Sequence, residues 1–418
     1  MSNNYQSVQK RKAYYIALCA EGKISERHCA KLLGMHYVSV HDLKVRYKKY
    51  GDSAFINGHK GLQYQTKKYS DDLRSRIVNL YRTQWTDAPF ATFHDGLRHY
   101  HHIEMPYNAV RLILEDAGLK PPRTWSTAEK IAHKPRDERA RSGELVQMDA
   151  STHDWFMDGT YVTLHGGIDD ATHTVTGLYF CQNECRLGYN EVLRQTWTRY
   201  GIPQSYYIDR HSSFVISERK RGRTLTERLE FSKTERTHFV DLCSELNIEI
   251  ILALSAQAKG RIERLWQTLQ GRLPYMFRYL GINNIDGANR FIASWLKDFN
   301  NRFAIAPRDA TSAWSEIPKG FDLDYKLSLK FSCRSDSMGY FTFHDCDFRL
   351  GSPLRAFKNF ELCLSEQYGI RAYMDGAYYP VELAEGCIQD TISDKMPIVE
   401  KDLIGRYLLK DLRAGSYA

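Results

Sequence analysis

An ordered run of short β-patterned and helical segments between residues 143 and 310, with carboxylates at three of its joints, limits what this chain can fold into. ELVQMDAS, YVTLHGGIDD and THTVTGLYF read as three successive strands, apolar and β-branched, bounded by turn residues. A helical stretch follows at about 189–200 (YNEVLRQTWTRY), closed by Gly201 and Pro203. SYYIDR reads as a fourth strand, THFVDLCSELN as a helix and IEIILAL as a fifth strand. KGRIERLWQTLQGRLPYMF reads as one long helix, and the helical pattern resumes at 286–302. Three meandering strands followed by alternating helix and strand call for a mixed sheet with helices on its faces, an α/β domain.

Asp149 follows Leu145, Val146 and Met148 in an otherwise apolar strand. A carboxylate there is costly unless it is paired or binds a metal; a strand-end cap through Ser151 and Thr152 accounts for it equally well. Asp209 ends SYYID at the carboxyl edge of a strand. Sites gather there in α/β sheets, and Asx-turns are common there too. Glu263 lies at the edge of a helical stripe made by Ile262, Leu265, Trp266 and Leu269. A pairing with Arg264 or Gln267 would also satisfy it, and Trp266 reads as core. Taken together, two strand aspartates and one helix glutamate make a hard oxygen-ligand set for divalent metal, suited to phosphodiester chemistry. Lys259, Arg261, Arg264 and Arg272 make the start of that helix basic, as DNA phosphates would require. Asp169 and Asp170 compete for a metal role but rank below these three.

The flanking regions differ in pattern. Residues 8–50 form a helical cluster broken at Gly34, with Ser25 as a helix start, in a helix-turn-helix arrangement. Its second helix carries Ser39, His41, Lys44, Arg46, Lys48 and Lys49, side chains able to reach base edges or phosphates. A three-helix bundle with a solvated basic face is the alternative. Residues 51–66 read as a linker rich in Gly, Asn and Ser, and 67–119 as a second helical cluster with Ser70 as its cap and Gly118 as its stop. The crowded His94, His99, His101 and His102 lack nearby paired cysteines, which favours a polar helix face or phosphate contact over zinc. Residues 120–142 form a basic, proline-punctuated linker. After 320 the chain returns to short strands with recurring turns, the pattern of a small barrel or sandwich over 325–390.

Lys and Arg number 58 against 50 Asp and Glu, a formal net charge of +8 that permits a polyanionic partner without demanding one. The nine cysteines have no repeating framework and read as reduced thiols. The N-terminus carries no apolar signal region and no stretch reaches membrane-spanning length, so a cytoplasmic protein without a membrane partner is expected.

The segment order is the one a ribonuclease H-like fold requires. The residues GELVQMDAS, HGGIDDATHTVTGLYF, YYIDRHSSF and SAQAKGRIERLWQTLQGRL resemble the DDE transposases and retroviral-type integrases, and among these the bacterial insertion-sequence transposases of the ISNCY group. The resemblance is strong over 143–310. It implies a multidomain α/β protein: a helix-turn-helix domain at 1–55, a second such domain at 67–119, the basic linker 120–142, an integrase catalytic core at 143–310 and a C-terminal β-barrel-like domain at 325–390. It implies Asp149, Asp209 and Glu263 as the catalytic, metal-binding triad, with two Mg2+ (or Mn2+) ions. It also implies cleavage and strand transfer at the ends of an insertion sequence, with Ser39, His41, Lys44, Arg46, Lys259, Arg261 and Arg264 as DNA contacts. The partners would be double-stranded DNA, as terminal inverted repeats and target, with a homodimer or higher oligomer on it in a bacterial cytoplasm. Two departures stand out. Arg210 and His211 follow the second aspartate where many members have Asn-Gly, and a charged insertion, 217–237, lengthens the interval before Glu263. His211 and Lys259 are further candidates for phosphate contact. The alternatives are a non-catalytic DNA-binding regulator derived from a transposase, and a ribonuclease H-like nuclease acting on hybrids or junctions.

Overall fold

The computed structural model describes residues 2–55, 69–121, 138–208, 237–252, 260–343, 346–351 and 357–384. The chain divides into two compact units, Met1–Arg76 and Ile77–Ala418.

The first unit holds α1 (Ser2–Ala20), α2 (Glu26–Leu33) and α3 (Tyr37–Tyr50), closed by a 3-10 turn at Gly51–Phe55. Its small core is Ile16, Cys19, Cys29, Ala30 and Val40. Helix α2 starts where the Ser25 side chain accepts from the His28 amide at 3.2 Å. It stops at Gly34, whose φ of 61° is the left-handed conformation that a residue without Cβ adopts at no steric cost. The tight turn carries the chain into α3. Glu26, in the first turn of α2, ties the two helices together: it binds Lys44 Nζ at 2.9 Å and His41 Nδ1 at 3.2 Å.

The second unit is built on a five-stranded sheet of order β3-β2-β1-β4-β5. Its strands are β1 (Val146–His153), β2 (Val162–Asp169), β3 (Val175–Cys181), β4 (Ser205–Ile208) and β5 (Glu249–Leu252). The first three pair antiparallel, and β4 joins β1, then β5 joins β4, in parallel. Strand β1 is therefore the middle of the sheet. Side chains alternate across a strand, so Val146 and Met148 enter the core under α7 (Arg186–Arg199) and α8 (His238–Glu245). Gln147, Asp149 and Ser151 are left to the opposite face. That face is covered by α9 (Gly260–Gln270), α10 (Leu273–Leu280) and α11 (Ile285–Phe303), which pack Ile262, Leu265, Leu269, Phe277 and Ile292 onto β2 and β3.

The single long helix expected from KGRIERLWQTLQGRLPYMF is two helices. It breaks at Gly271 and Arg272, because Pro274 in the first turn of α10 lacks the amide a continuous helix needs. The elbow is also where the preceding helices dock: α4 (Asp71–Gln84), α5 (Phe90–Tyr100) and α6 (Tyr107–Asp116). Thr92 Oγ1 donates to the orphaned Gly271 carbonyl at 2.6 Å, and Trp85 stacks on Tyr279 with ring centroids 4.7 Å apart.

On the other side of the core, after a short α12 (Leu323–Lys326), six antiparallel strands follow. They are β6 (Leu329–Arg334), β7 (Tyr340–Phe343), β8 (Cys346–Leu350), β9 (Asn359–Ser365), β10 (Gly369–Met374) and β11 (Ala377–Leu383), in the order β6-β9-β10-β11-β8-β7. The sheet curls until rings of its two edge strands, Phe331 and Phe343, lie 4.8 Å apart. It is fastened to α7, where Asn190 Nδ2 donates to the Leu327 carbonyl at 2.8 Å. Among the described residues no helix is long and apolar enough to cross a membrane.

The Lys44 and His41 bonds hold the Glu26 carboxyl down at about 2, against an ordinary value of 4.5. A depressed carboxyl contributes stability above its unfolded pKa and loses it as pH falls. Amide protection in α2 and α3 of the full chain should therefore drop between about 4.5 and about 2. Hydrogen exchange corrected for intrinsic rates checks this: Glu26→Gln should already exchange faster at neutral pH and show no such step.

Candidate active site

Helix α9 lies along β1, and the two are joined by three hydrogen bonds. The Ile262 amide donates to Gln147 Oε1 at 3.3 Å, Trp266 Nε1 to Asp149 Oδ2 at 3.0 Å, and Gln270 Nε2 to Ser151 Oγ at 3.1 Å. The spacing explains why they occur as a series. Four helical residues advance about 6 Å, and two strand residues advance about 6.6 Å. Positions 262, 266 and 270 thus stay level with 147, 149 and 151. Asp149 takes the middle rung and is partly exposed. Glu263 follows the first rung by one residue, which turns it about 100° around the helix, and it is exposed at the edge of the covered stripe.

The start of α9 is held by a buried charge cluster. Arg261, 9% exposed, puts Nε 3.1 Å from Asp170 Oδ1 and Nη2 2.9 Å from Glu138 Oε1. Asp170 has no exposure and accepts also from Gln147 Nε2 at 2.9 Å and from the Arg139 amide at 2.9 Å. The Arg261 guanidinium in turn holds the Glu138 carboxyl below the ordinary glutamate range. Asp169, likewise without exposure, accepts from the Gly143 amide at 2.9 Å, the Thr172 amide at 3.0 Å and Thr172 Oγ1 at 2.6 Å. Burial raises its pKa, and these bonds only partly offset that. Both aspartates are consumed in holding the turn after β2 and the ends of its neighbours.

Asp149 and Glu263 are thus brought to adjoining elements. Asp209, Arg210, His211, Lys259 and the 217–237 insertion lie outside the described residues. Ile208, which precedes Asp209 in the chain, ends β4, the strand parallel to β1. Among the described residues no three His, Cys, Asp or Glu side chains gather as a metal-holding group. What they do offer is two carboxylates, Asp149 partly exposed and Glu263 exposed, hard oxygen donors of the kind Mg2+ or Mn2+ takes.

No family model matches the chain. It is similar to the Sinorhizobium fredii (strain NBRC 101917 / NGR234) protein y4bF, named as a transposase, at 33% identity over 293 residues. It is also similar to the transposase for insertion sequence IS1202 of Streptococcus pneumoniae, at 27% identity over 341 residues. Both of these similar proteins are named as transposases, and the chain spans less than two thirds of the length of the Sinorhizobium protein. The first match covers 69% of this chain and 60% of the Sinorhizobium protein, the second 74% and 71%. Among solved structures it is similar to the HTLV-2 integrase catalytic core domain in complex with magnesium, with a TM-score of 0.26 and 15% identity over 38% of this chain and 88% of that one. It is similar too to a chain of the simian T-cell lymphotropic virus intasome in complex with PP2A regulatory subunit B56 gamma, with a TM-score of 0.29 and 14% identity over 74% and 98%.

The basic residues expected on DNA are placed unequally. Arg264 is exposed and bonds its own helix start, Nε to the Gly260 carbonyl at 2.9 Å. Arg261 is buried in the charge cluster, and Arg272 is 16% exposed beside Asp95 at 3.5 Å. In the first unit, Ser39 and Arg46 are exposed on α3, whereas His41 and Lys44 are engaged by Glu26. His94 and His101 serve helix packing: His94 Nε2 meets the Met105 carbonyl at 2.7 Å, and His101 Nε2 accepts from Trp85 Nε1 at 3.4 Å. Sequence patterning alone does not mark Gln147, Trp266 and Gln270, the residues that join α9 to β1, as part of the site. The sequence signal for Trp266 is Gly166 in β2, since a glycine inside a strand marks close approach by another group.

Arg261→Met would strand Asp170 as a buried charge, and breaking such a pair costs about 3–5 kcal/mol. Denaturant titration should show a loss of that order. Adding Asp170→Leu should restore part of it, since the two residues share one interaction.

Proposed function

We propose that this protein is a DNA transposase acting at the ends of an insertion sequence. In this reading 143–310 is a ribonuclease H-like integrase core, 1–55 and 67–119 are helix-turn-helix DNA readers, 120–142 is a basic linker and 325–390 is a barrel-like accessory domain. Asp149, Asp209 and Glu263 hold two divalent ions, Mg2+ or Mn2+. The observation that carries it is the seam itself: a carboxylate on the central strand and another on the helix bonded rung by rung to that strand. Similarity to transposases across 69% of the chain supports it.

Metal bound there would lower the pKa of an attacking water or 3′-hydroxyl and neutralise charge at the leaving oxygen. The chain's own part is positional. Asp149 and Glu263 present carboxylate oxygens from elements that cannot shift relative to one another without breaking the seam. Asp209 enters by its place in the segment order and by the family resemblance. Arg264, exposed one residue after Glu263, would contact phosphate, as would Lys259; Ser39 and Arg46 are the α3 side chains positioned for DNA. Two element ends joined in one reaction imply at least a dimer on DNA, in the cytoplasm of a bacterium.

Strand-transfer assays on duplexes carrying the element's ends, with Mg2+, test the reading. Asp149→Asn and Glu263→Gln should each lower the rate by on the order of 10³-fold or more, with DNA binding by gel shift retained. Full activity in Asp149→Asn would overturn the catalytic assignment. End binding without cleavage by the native chain would favour a regulator, and preference for RNA–DNA hybrids a nuclease.

A further inference from the structure

Seven tryptophans are present, and several give their indole nitrogens to neutral acceptors. Trp155 Nε1 donates to the Ser151 carbonyl at 3.2 Å, Trp197 Nε1 to the Tyr206 hydroxyl at 2.9 Å and Trp314 Nε1 to Ser142 Oγ at 2.8 Å. Trp266, 7% exposed, is different: its indole N–H is given to a carboxylate, Asp149 Oδ2. An indole can only donate and an ionised carboxylate can only accept, so the pair has a single sense and is charge-assisted.

The sheet is shaped to admit this ring. Gly166 is the β2 residue directly across from Asp149. A Cβ built on Gly166 would lie 2.7 Å from Trp266 Cη2 and 2.9 Å from Leu178 Cδ2, inside contact distance. The indole thus occupies the space a side chain at 166 would fill, and from there it reaches the cross-strand neighbour. The rungs above and below, Ile262 to Gln147 and Gln270 to Ser151, fix the height of the ring along the strand.

We propose that Trp266 is a positioning residue for metal binding: its indole N–H holds the Asp149 carboxylate in one orientation, and Gly166 is required because it makes room for the ring. The inference rests on Asp149 being a metal ligand, as in the function proposed above. A carboxylate held in this way does not have to be oriented at the moment of binding. Removing a partner that orients a ligand typically weakens metal binding about 10–100-fold.

The test is Mn2+ binding to the full chain without DNA, measured as free Mn2+ by electron paramagnetic resonance. Trp266→Phe keeps an aromatic ring and removes the N–H, and its Mn2+ affinity should fall about 10–100-fold. Gly166→Ala, which displaces the same ring without touching it chemically, should shift affinity in the same direction and serves if Trp266→Phe does not fold. Trp155→Phe is the control: it also loses a buried indole bond near β1, but to a backbone carbonyl, and should bind Mn2+ as the native chain does. Native affinity in Trp266→Phe, or an equal loss in Trp155→Phe, would overturn the proposal, since a merely structural tryptophan predicts either result. Asp149→Asn separates the two levels. If it loses Mn2+ while Trp266→Phe does not, only the positioning role fails; if it binds Mn2+ normally, the metal-site reading fails and takes the positioning role with it.

Discussion

Helix α9 and strand β1 advance at nearly the same rate per contact, about 6 Å against about 6.6 Å, and the site depends on that coincidence. Three hydrogen bonds can form in register before the difference accumulates, and Asp149 sits on the middle one. The seam is pinned at one end by Arg261, buried against Asp170 and Glu138. A buried ion pair of this kind adds little net stability over an apolar pair but strongly penalises any other register. Sliding α9 by a turn would take Arg261 away from Asp170 and leave a buried carboxyl without its cation. Specificity of register is what a pair of carboxylates on two different elements needs.

The rest of the second unit is arranged around that seam. Alternation along β1 sends Val146 and Met148 to one face, under α7 and α8, and leaves the carboxylate on the other. The α4–α6 helices dock at the elbow between α9 and α10, where Thr92 takes up a carbonyl released by the break. The C-terminal sheet fastens to α7, on the face opposite the seam. Both additions therefore stiffen elements that bear on the site without covering Glu263, which stays exposed.

Much of this was legible in the residues. The strand and helix order of the core follows from short β-branched runs and amphipathic stripes, and the caps at Ser25 and Gly34 from side-chain chemistry that acts within one turn. Hydrophobic periodicity continues across Gly271–Pro274 while the backbone amide pattern does not, so periodicity alone reads α9 and α10 as one helix. Arg261 and Arg264 look alike in sequence as cations at a helix start. One is buried on Asp170 and the other exposed, because three residues of helix turn through about 300° and one of the two directions faces the core. His41 and Lys44 read as DNA contacts for the same reason, and their partner Glu26 lies on another helix.

The sequence by itself determined which segments become strands and helices, where they are capped, and that Asp149 falls on a strand and Glu263 on a helix, since these follow from interactions within a few residues. Tertiary structure alone decided that Trp266 reaches Asp149, that Gly166 leaves the space for it, and that Asp170 pairs with Arg261. Those pairings join positions far apart in the chain. They exist only because one helix lies at one height against one strand, and no local propensity specifies that height.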